Sequence, residues 1–163
     1  MKKINLVWSL FLFIACTVQS QNVSKNALGL RLGDNDGFGG EFSYQRKLSK
    51  NNRLELDLGL RNSHYINALK LAALYQWYWK IEGGFNWYAG VGGGVGSWRY
   101  ERKEANDNGS FAFIAGDLGI EYDFDFPLQI SLDVRPEFYF NSDTYRDNNY
   151  GSDIGLGIRY RFN

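Results

Sequence analysis

Hydrophobic and polar residues alternate one by one along most of this chain. In its last stretch, residues 153–163, Ile154, Leu156, Ile158, Tyr160 and Phe162 fall on one parity. Asp153, Gly155, Gly157, Arg159 and Arg161 fall on the other. Successive side chains of a strand point to opposite faces, so this segment has one apolar face and one small or charged face. Seven further runs with the same period precede it, at about residues 27–33, 38–47, 53–61, 65–80, 85–98, 110–123 and 128–140. The third is the cleanest: Leu54, Leu56, Leu58 and Leu60 alternate with Arg53, Glu55, Asp57, Gly59 and Arg61. In the sixth, Ile114, Leu118, Ile120 and Tyr122 oppose Asp117, Gly119, Glu121 and Asp123, while Phe111 and Phe113 fall on the polar parity. A bulge or an aromatic plug would each explain those two. No long stretch keeps a 3.6-residue period, and no segment after residue 20 has 18 consecutive apolar residues, so no transmembrane helix is expected.

Short polar or glycine-rich segments separate the runs, such as Asp34-Asn35-Asp36-Gly37, Ser49-Lys50-Asn51-Asn52 and Glu82-Gly83-Gly84. These residue types suit tight reversals. The turns after the second, fourth and sixth runs are short. The connections after the third, fifth and seventh include the two longest, a charged loop at 101–109 and another at 141–151. Eight antiparallel strands with both ends on one side then predict an all-β, eight-stranded antiparallel up-and-down transmembrane β-barrel, with short turns inside and longer loops outside.

Alternation alone leaves the direction of the apolar face open. Three features turn it outward. Gly29, Gly59, Gly90, Gly92, Gly94, Gly119, Gly155 and Gly157 share the polar parity. An eight-stranded barrel has an interior that side chains just fill, so long charged residues need small neighbours there. Aromatic residues gather at the expected periplasmic strand ends: Trp77, Trp79, Phe85, Trp87, Tyr122, Phe124, Phe126, Tyr160 and Phe162. Rings of this kind are favoured at a membrane–water boundary. Phe38, Tyr65, Trp98, Tyr100, Phe138 and Phe140 map to the opposite rim. The polar parity carries both signs of charge, as Arg31, Glu41, Glu55, Asp57, Lys70, Asp117, Glu121, Asp133, Arg135, Glu137, Arg159 and Arg161. Such groups can pair inside a lumen, whereas an Arg or Lys facing lipid near the midplane costs about 2–4 kcal/mol. Asp133, Arg135 and Glu137 on the seventh run are expected to pair with Arg159 and Arg161 on the eighth, its neighbour.

Composition adds the compartment. The chain has 163 residues, one domain's worth, with 19 glycines, two prolines and 17% aromatics. Residues 1–20 read as a signal peptide for Sec-type export: Lys2 and Lys3, an apolar stretch from Ile4 to Ala15, then Val18-Gln19-Ser20 before cleavage. Residues 21–163 form the barrel domain. Without Lys2 and Lys3 the 18 basic residues become 16 against 18 acidic, a balance that does not suit nucleic acid. The one cysteine, Cys16, lies in the leader. Phe-Ile-Ala-Cys resembles a lipobox, but Phe13 fits it poorly and the Ser20 site follows, so a plain leader is expected.

The leader, the eight alternating runs, the aromatic girdles and the closing GLGIRYRF resemble the small outer-membrane β-barrels of the OmpA/OmpX/OmpW-like, porin-like kind in single-domain form. The resemblance covers the chain after its leader. It implies a bacterial outer membrane, contact with membrane lipid and lipopolysaccharide, insertion by the barrel assembly machinery, and a monomer. Family members typically end on an aromatic residue read by that machinery; here Asn163 follows Phe162.

Candidate chemistry is sparse. The Gly90–Gly96 cluster lacks phosphate-loop spacing and a following Lys-Ser/Thr. Ser63 and His64 are adjacent and so point apart, a poor start for a nucleophile and its base. Asp34, Asp36, Asp107, Asp143, Asp147 and Asp153 in or near the outer loops are turn residues, with Ca²⁺ as the other reading. No catalytic, cofactor or metal site is expected. The expected role is structural or surface contact. A narrow channel for small solutes and a soluble periplasmic lipocalin-like carrier are the alternatives.

Overall fold

The computed structural model describes residues 24–33, 39–62, 66–102, 105–140 and 149–163. The leader with Cys16, Phe38, Tyr65, the Ser63–His64 pair, and Asp34, Asp36, Asp143 and Asp147 lie outside the described residues, as do the side chains of Tyr100 and Asp107.

Eight strands account for almost all of the described chain: β1 (Asn26–Gly33), β2 (Gly39–Lys47), β3 (Asn52–Asn62), β4 (Ile66–Lys80), β5 (Phe85–Arg102), β6 (Ala105–Asp123), β7 (Leu128–Phe140) and β8 (Tyr150–Phe162). Each pairs antiparallel with the next, and β8 pairs with β1 through Asn26↔Phe162 to Gly33↔Gly155, closing the barrel. Closure satisfies the backbone without an open edge, a condition that hydrocarbon imposes.

The expected charged loop at 101–109 is not a loop. β5 and β6 stay paired through Trp98↔Gly109 and Tyr100↔Asp107 to Arg102↔Ala105. Once two strands are in register, the ladder can extend on backbone bonds alone. Polar residues are compatible with paired strands as well as with a loop, so composition there does not mark irregular backbone. Register along β5–β6 is continuous, so no bulge shifts Phe111 and Phe113. Along β6–β7 the ladder runs from Ala115↔Glu137 to Leu118↔Val134 and skips two steps at Pro136, which has no N–H to give. At the β4–β5 turn, Gly83 and Gly84 take φ of 59° and 91°, open to glycine without strain.

Burial is inverted relative to a soluble barrel. Leu28, Leu30, Phe42, Leu58, Leu71, Val91, Leu118, Leu132, Ile154 and Ile158 are exposed on the outer wall. Arg31, Glu55, Asp57, Arg135, Glu137 and Arg159 are buried inside it. Glycine on the inner parity leaves room for this filling. A Cβ on Gly155 would meet the Arg31 guanidinium, and one on Gly94 or Gly96 would meet the rings of Phe113 or Phe111.

Candidate functional site: the barrel lumen

Three guanidiniums organise the middle of the lumen. Arg31, with no accessible surface, binds three carboxylates: Asp133 through Nε at 3.0 Å and again through Nη2, Glu41 at 3.1 Å, and Asp153 at 2.7 Å. Arg135 lies 2.9 Å from Asp57, 3.1 Å from Glu55 and 3.6 Å from Glu41. Arg159 donates to Glu55 at 3.2 Å, Ser43 at 2.9 Å and Ser131 at 2.8 Å. Glu55 is therefore shared by two arginines, and it also accepts from Gln45 at 2.6 Å and Gln76 at 3.1 Å. The forked Arg31–Asp133 contact is charge-assisted and belongs to the strong class of hydrogen bond, whereas Arg135 and Asp57 form an ion pair without hydrogen-bond geometry.

Two smaller clusters flank this centre. Toward the short-turn end, Arg53 donates to Glu121 at 2.6 Å and to Gln76 at 2.5 Å, and lies 4.6 Å over the Tyr88 ring. Asp117 accepts from Gln76 and has no salt-bridge partner among the described residues. Toward the other end, Lys70 donates to Glu137 at 2.5 Å and lies 4.5 Å over Phe113. Tyr139 also donates its hydroxyl to Glu137.

Above the charges sits an aromatic plug. Trp98, Phe111, Phe113 and Tyr139 are buried with Leu74, Ala68, Ala72 and Ala115. The Phe111 and Phe113 centroids both lie 5.5 Å from that of Tyr139. Of the two readings of Phe111 and Phe113, the structure holds the plug. Trp98, expected at the rim, belongs to it. Its even parity on β5, shared with Gly90 to Gly96, was the available signal. Leu74, Gln76 and Tyr88 were legible by the same rule.

The expected pairing between the seventh and eighth runs is not what forms. Asp133 goes to Arg31 of β1 and Glu137 to Lys70 of β4. Arg159 crosses to β2 and β3, and Arg161 sits at the rim, 3.3 Å from Asp123. The cause is register: Asp133 and Ser131 face Gly155 and Gly157 across β7–β8. With no side chain beside it on β8, Asp133 reaches past that strand to Arg31, while Ser131 accepts from Arg159 on the neighbouring strand. Asp153 lies within the lumen and is not a loop residue, which removes it from any loop cation site.

On the outer wall, the short-turn end carries a belt of rings. Trp79 stacks on Trp87 at 4.3 Å, and Phe85 meets Tyr122 edge-on at 4.7 Å. Trp77 lies against Tyr75 at 5.0 Å. Tyr160 and Phe162 stand exposed at the same end, paired across to Leu128 and Asn26. At the opposite rim Phe138 lies 5.0 Å from Tyr150. Among the described residues no group of three or more His, Cys, Asp and Glu is arranged to hold a metal.

A closed, apolar-out, eight-stranded barrel with a filled polar lumen has the fold of the transmembrane β-barrels. No protein-family model matches the chain, and no curated protein matches it. Solved structures do. The N-terminal β-barrel domain of Pseudomonas aeruginosa OprF superposes with a TM-score of 0.68 at 11% identity, covering 85% of this chain and 98% of that one. Neisserial surface protein A gives 0.62 at 10%, covering 84% and 94%. Ail, the attachment invasion locus protein of Yersinia pestis, gives 0.57 at 15%, covering 85% and 97%. The resemblance read from the sequence therefore holds as fold: this chain is built like the small bacterial outer-membrane barrels.

Proposed function

We propose that this chain is a monomeric outer-membrane protein without enzyme activity, whose role is envelope structure or surface contact. It reaches the membrane by Sec-type export, losing residues 1–20, and is inserted by the barrel assembly machinery. Its wall meets phospholipid and lipopolysaccharide. The observation that carries this reading is the pairing of a continuous apolar outer wall with a lumen closed by Arg31, Arg135, Arg159 and the Phe111–Phe113–Tyr139 plug. The outer wall argues against a soluble carrier, whose apolar parity would point inward. The filled lumen argues against a channel, because the interior of an eight-stranded barrel is about the width that side chains fill. Surface contact fits the longer β5–β6 hairpin, which extends beyond the other strands.

The test is reconstitution of the 21–163 chain into planar bilayers. Heat-modifiable gel migration reports insertion, and single-channel recording reports conduction. Inserted protein without discrete conductance supports the proposal. Steady ion conductance moves the assignment to a channel, and recovery of the cellular protein in the soluble periplasmic fraction removes it from the membrane.

A further inference from the structure

We infer that the short-turn end of β2, β3 and β4 binds the phosphate headgroup of an anionic phospholipid in the inner leaflet. The inference rests on the proposed outer-membrane location and on the orientation expected from the sequence, in which this short-turn end faces the periplasm.

Five cations gather there. Lys25, Arg46, Lys50 and Lys80 are exposed and Lys47 is half-buried. The backbone sets them together: the Lys47 N–H donates to the Lys25 carbonyl at 2.7 Å, and the Tyr78 N–H, two residues before Lys80, donates to the Asn51 carbonyl at 2.9 Å. Lys47 reaches over β3, its Nζ 5.5 Å from the Tyr78 ring, with the Arg53 guanidinium 5.6 Å from the same ring. The one acid in these turns is Glu82. The third turn, between β6 and β7, has the opposite character, with Asp123 and Asp125, and its nearby cation Arg161 is already bound to Asp123. The basic charge is therefore confined to one sector of the rim.

Two features select a lipid over a soluble anion. Arg46 lies on the lipid-facing parity, following Gly40, Phe42 and Tyr44, and has no acidic partner among the described residues. A cation there can lay its stem along the apolar wall and place its charge at headgroup depth. The same turns carry exposed apolar tips, Leu48 at 52% and Ile81 at 58% exposed, which can enter the glycerol and acyl layer beside a headgroup and which a soluble anion would leave in water. A phosphate with chains attached satisfies both.

The experiment compares spin-labelled phosphatidylglycerol and phosphatidylcholine around the 21–163 barrel in mixed bilayers, read as the ratio of motionally restricted fractions. The wild type should favour phosphatidylglycerol. A cation near an anionic surface is worth up to about fivefold, so Arg46→Gln/Lys50→Gln/Lys80→Gln should bring the ratio close to one. Arg99→Gln, an exposed β5 position near the other rim, should leave it unchanged. Equal ratios for wild type and triple variant overturn the inference. So does loss of the preference in the Arg99→Gln control, which reports net charge alone. If soluble inositol hexaphosphate abolishes the wild-type preference at low micromolar concentration, the occupant is a soluble polyanion, and the inference is overturned. Failure of the membrane reading is separate: the barrel would then show no heat-modifiable, inserted form in any bilayer.

Discussion

Replacing Arg31 with leucine removes the one group that three buried carboxylates share. Asp133, Glu41 and Asp153 would lose contacts at 3.0, 3.1 and 2.7 Å in a site without solvent. Removing one partner of a buried ion pair costs about 3–5 kcal/mol, because the other charge stays behind without compensation. Residual contacts soften the loss, among them the Tyr88 hydroxyl 3.4 Å from Asp133 and Arg135 3.6 Å from Glu41. Three carboxylates raise the cost and the residual contacts lower it, so the expected destabilisation is about 3–5 kcal/mol, or roughly a hundredfold or more in the folding equilibrium. Urea titration in phospholipid vesicles measures it, with tryptophan emission and heat-modifiable migration as independent readouts. Arg31→Lys should fall between wild type and leucine, since it keeps the charge but not the planar fork that holds Asp133 twice. If Arg31→Leu unfolds at the wild-type urea concentration by both readouts, the network does not hold the barrel together.

Three further outcomes follow from the same geometry. Gly155→Ala places a Cβ against the Arg31 guanidinium and should cost about 1–3 kcal/mol in the same titration, whereas Gly40→Ala, with only Leu32 at 3.9 Å, should be near neutral. Single cysteines at Leu132 and Ser131, in the 21–163 chain, which has no other thiol, should differ when labelled with an environment-sensitive dye: brominated acyl chains should quench position 132 and not 131. Quenching at 131 alone would invert the barrel and end the membrane assignment. Leu118→Arg, on the outer wall, should weaken folding into bilayers by about 2–4 kcal/mol; an unchanged free energy would mean that this wall does not face hydrocarbon.

Period-two alternation was legible because only one backbone geometry turns every second residue to the same side. It located all eight strands, and it separated Leu56 from Asp57 and Ile158 from Arg159. Strand ends were less legible. Residues 101–109 read as a loop because charge marks water, and water faces a protruding hairpin as readily as a loop. The pairing of charges was not legible at all. Which carboxylate meets which arginine depends on the stagger of strands around the barrel, and alternation carries no information about stagger. The plug falls between these cases. Phe111 and Phe113 lay on the polar parity, where a plug was one of two readings, but for Trp98 aromatic character suggested the membrane rim although its parity faces the lumen.

Stagger also bears on when the network can form. Arg31 and Arg159 stand on the two strands that meet last in chain order, β1 and β8. Arg31 reaches Asp133 and Asp153, 102 and 122 residues away. Arg159 reaches Glu55 and Ser43, 104 and 116 residues away. Each guanidinium thus crosses the closing seam toward the strands beyond its own side. The β2–β3 hairpin carries Glu55 and Asp57 but neither Arg135 nor Arg159, their ion-pair partners, so before closure these two carboxylates rely on water in place of those partners. Contacts of such long sequence separation come only after the loop-closure entropy has been spent. Desolvation of the lumen and joining of β1 to β8 are therefore one event. The charges that would be most harmful in a half-formed barrel gain their partners at the step that removes water from them.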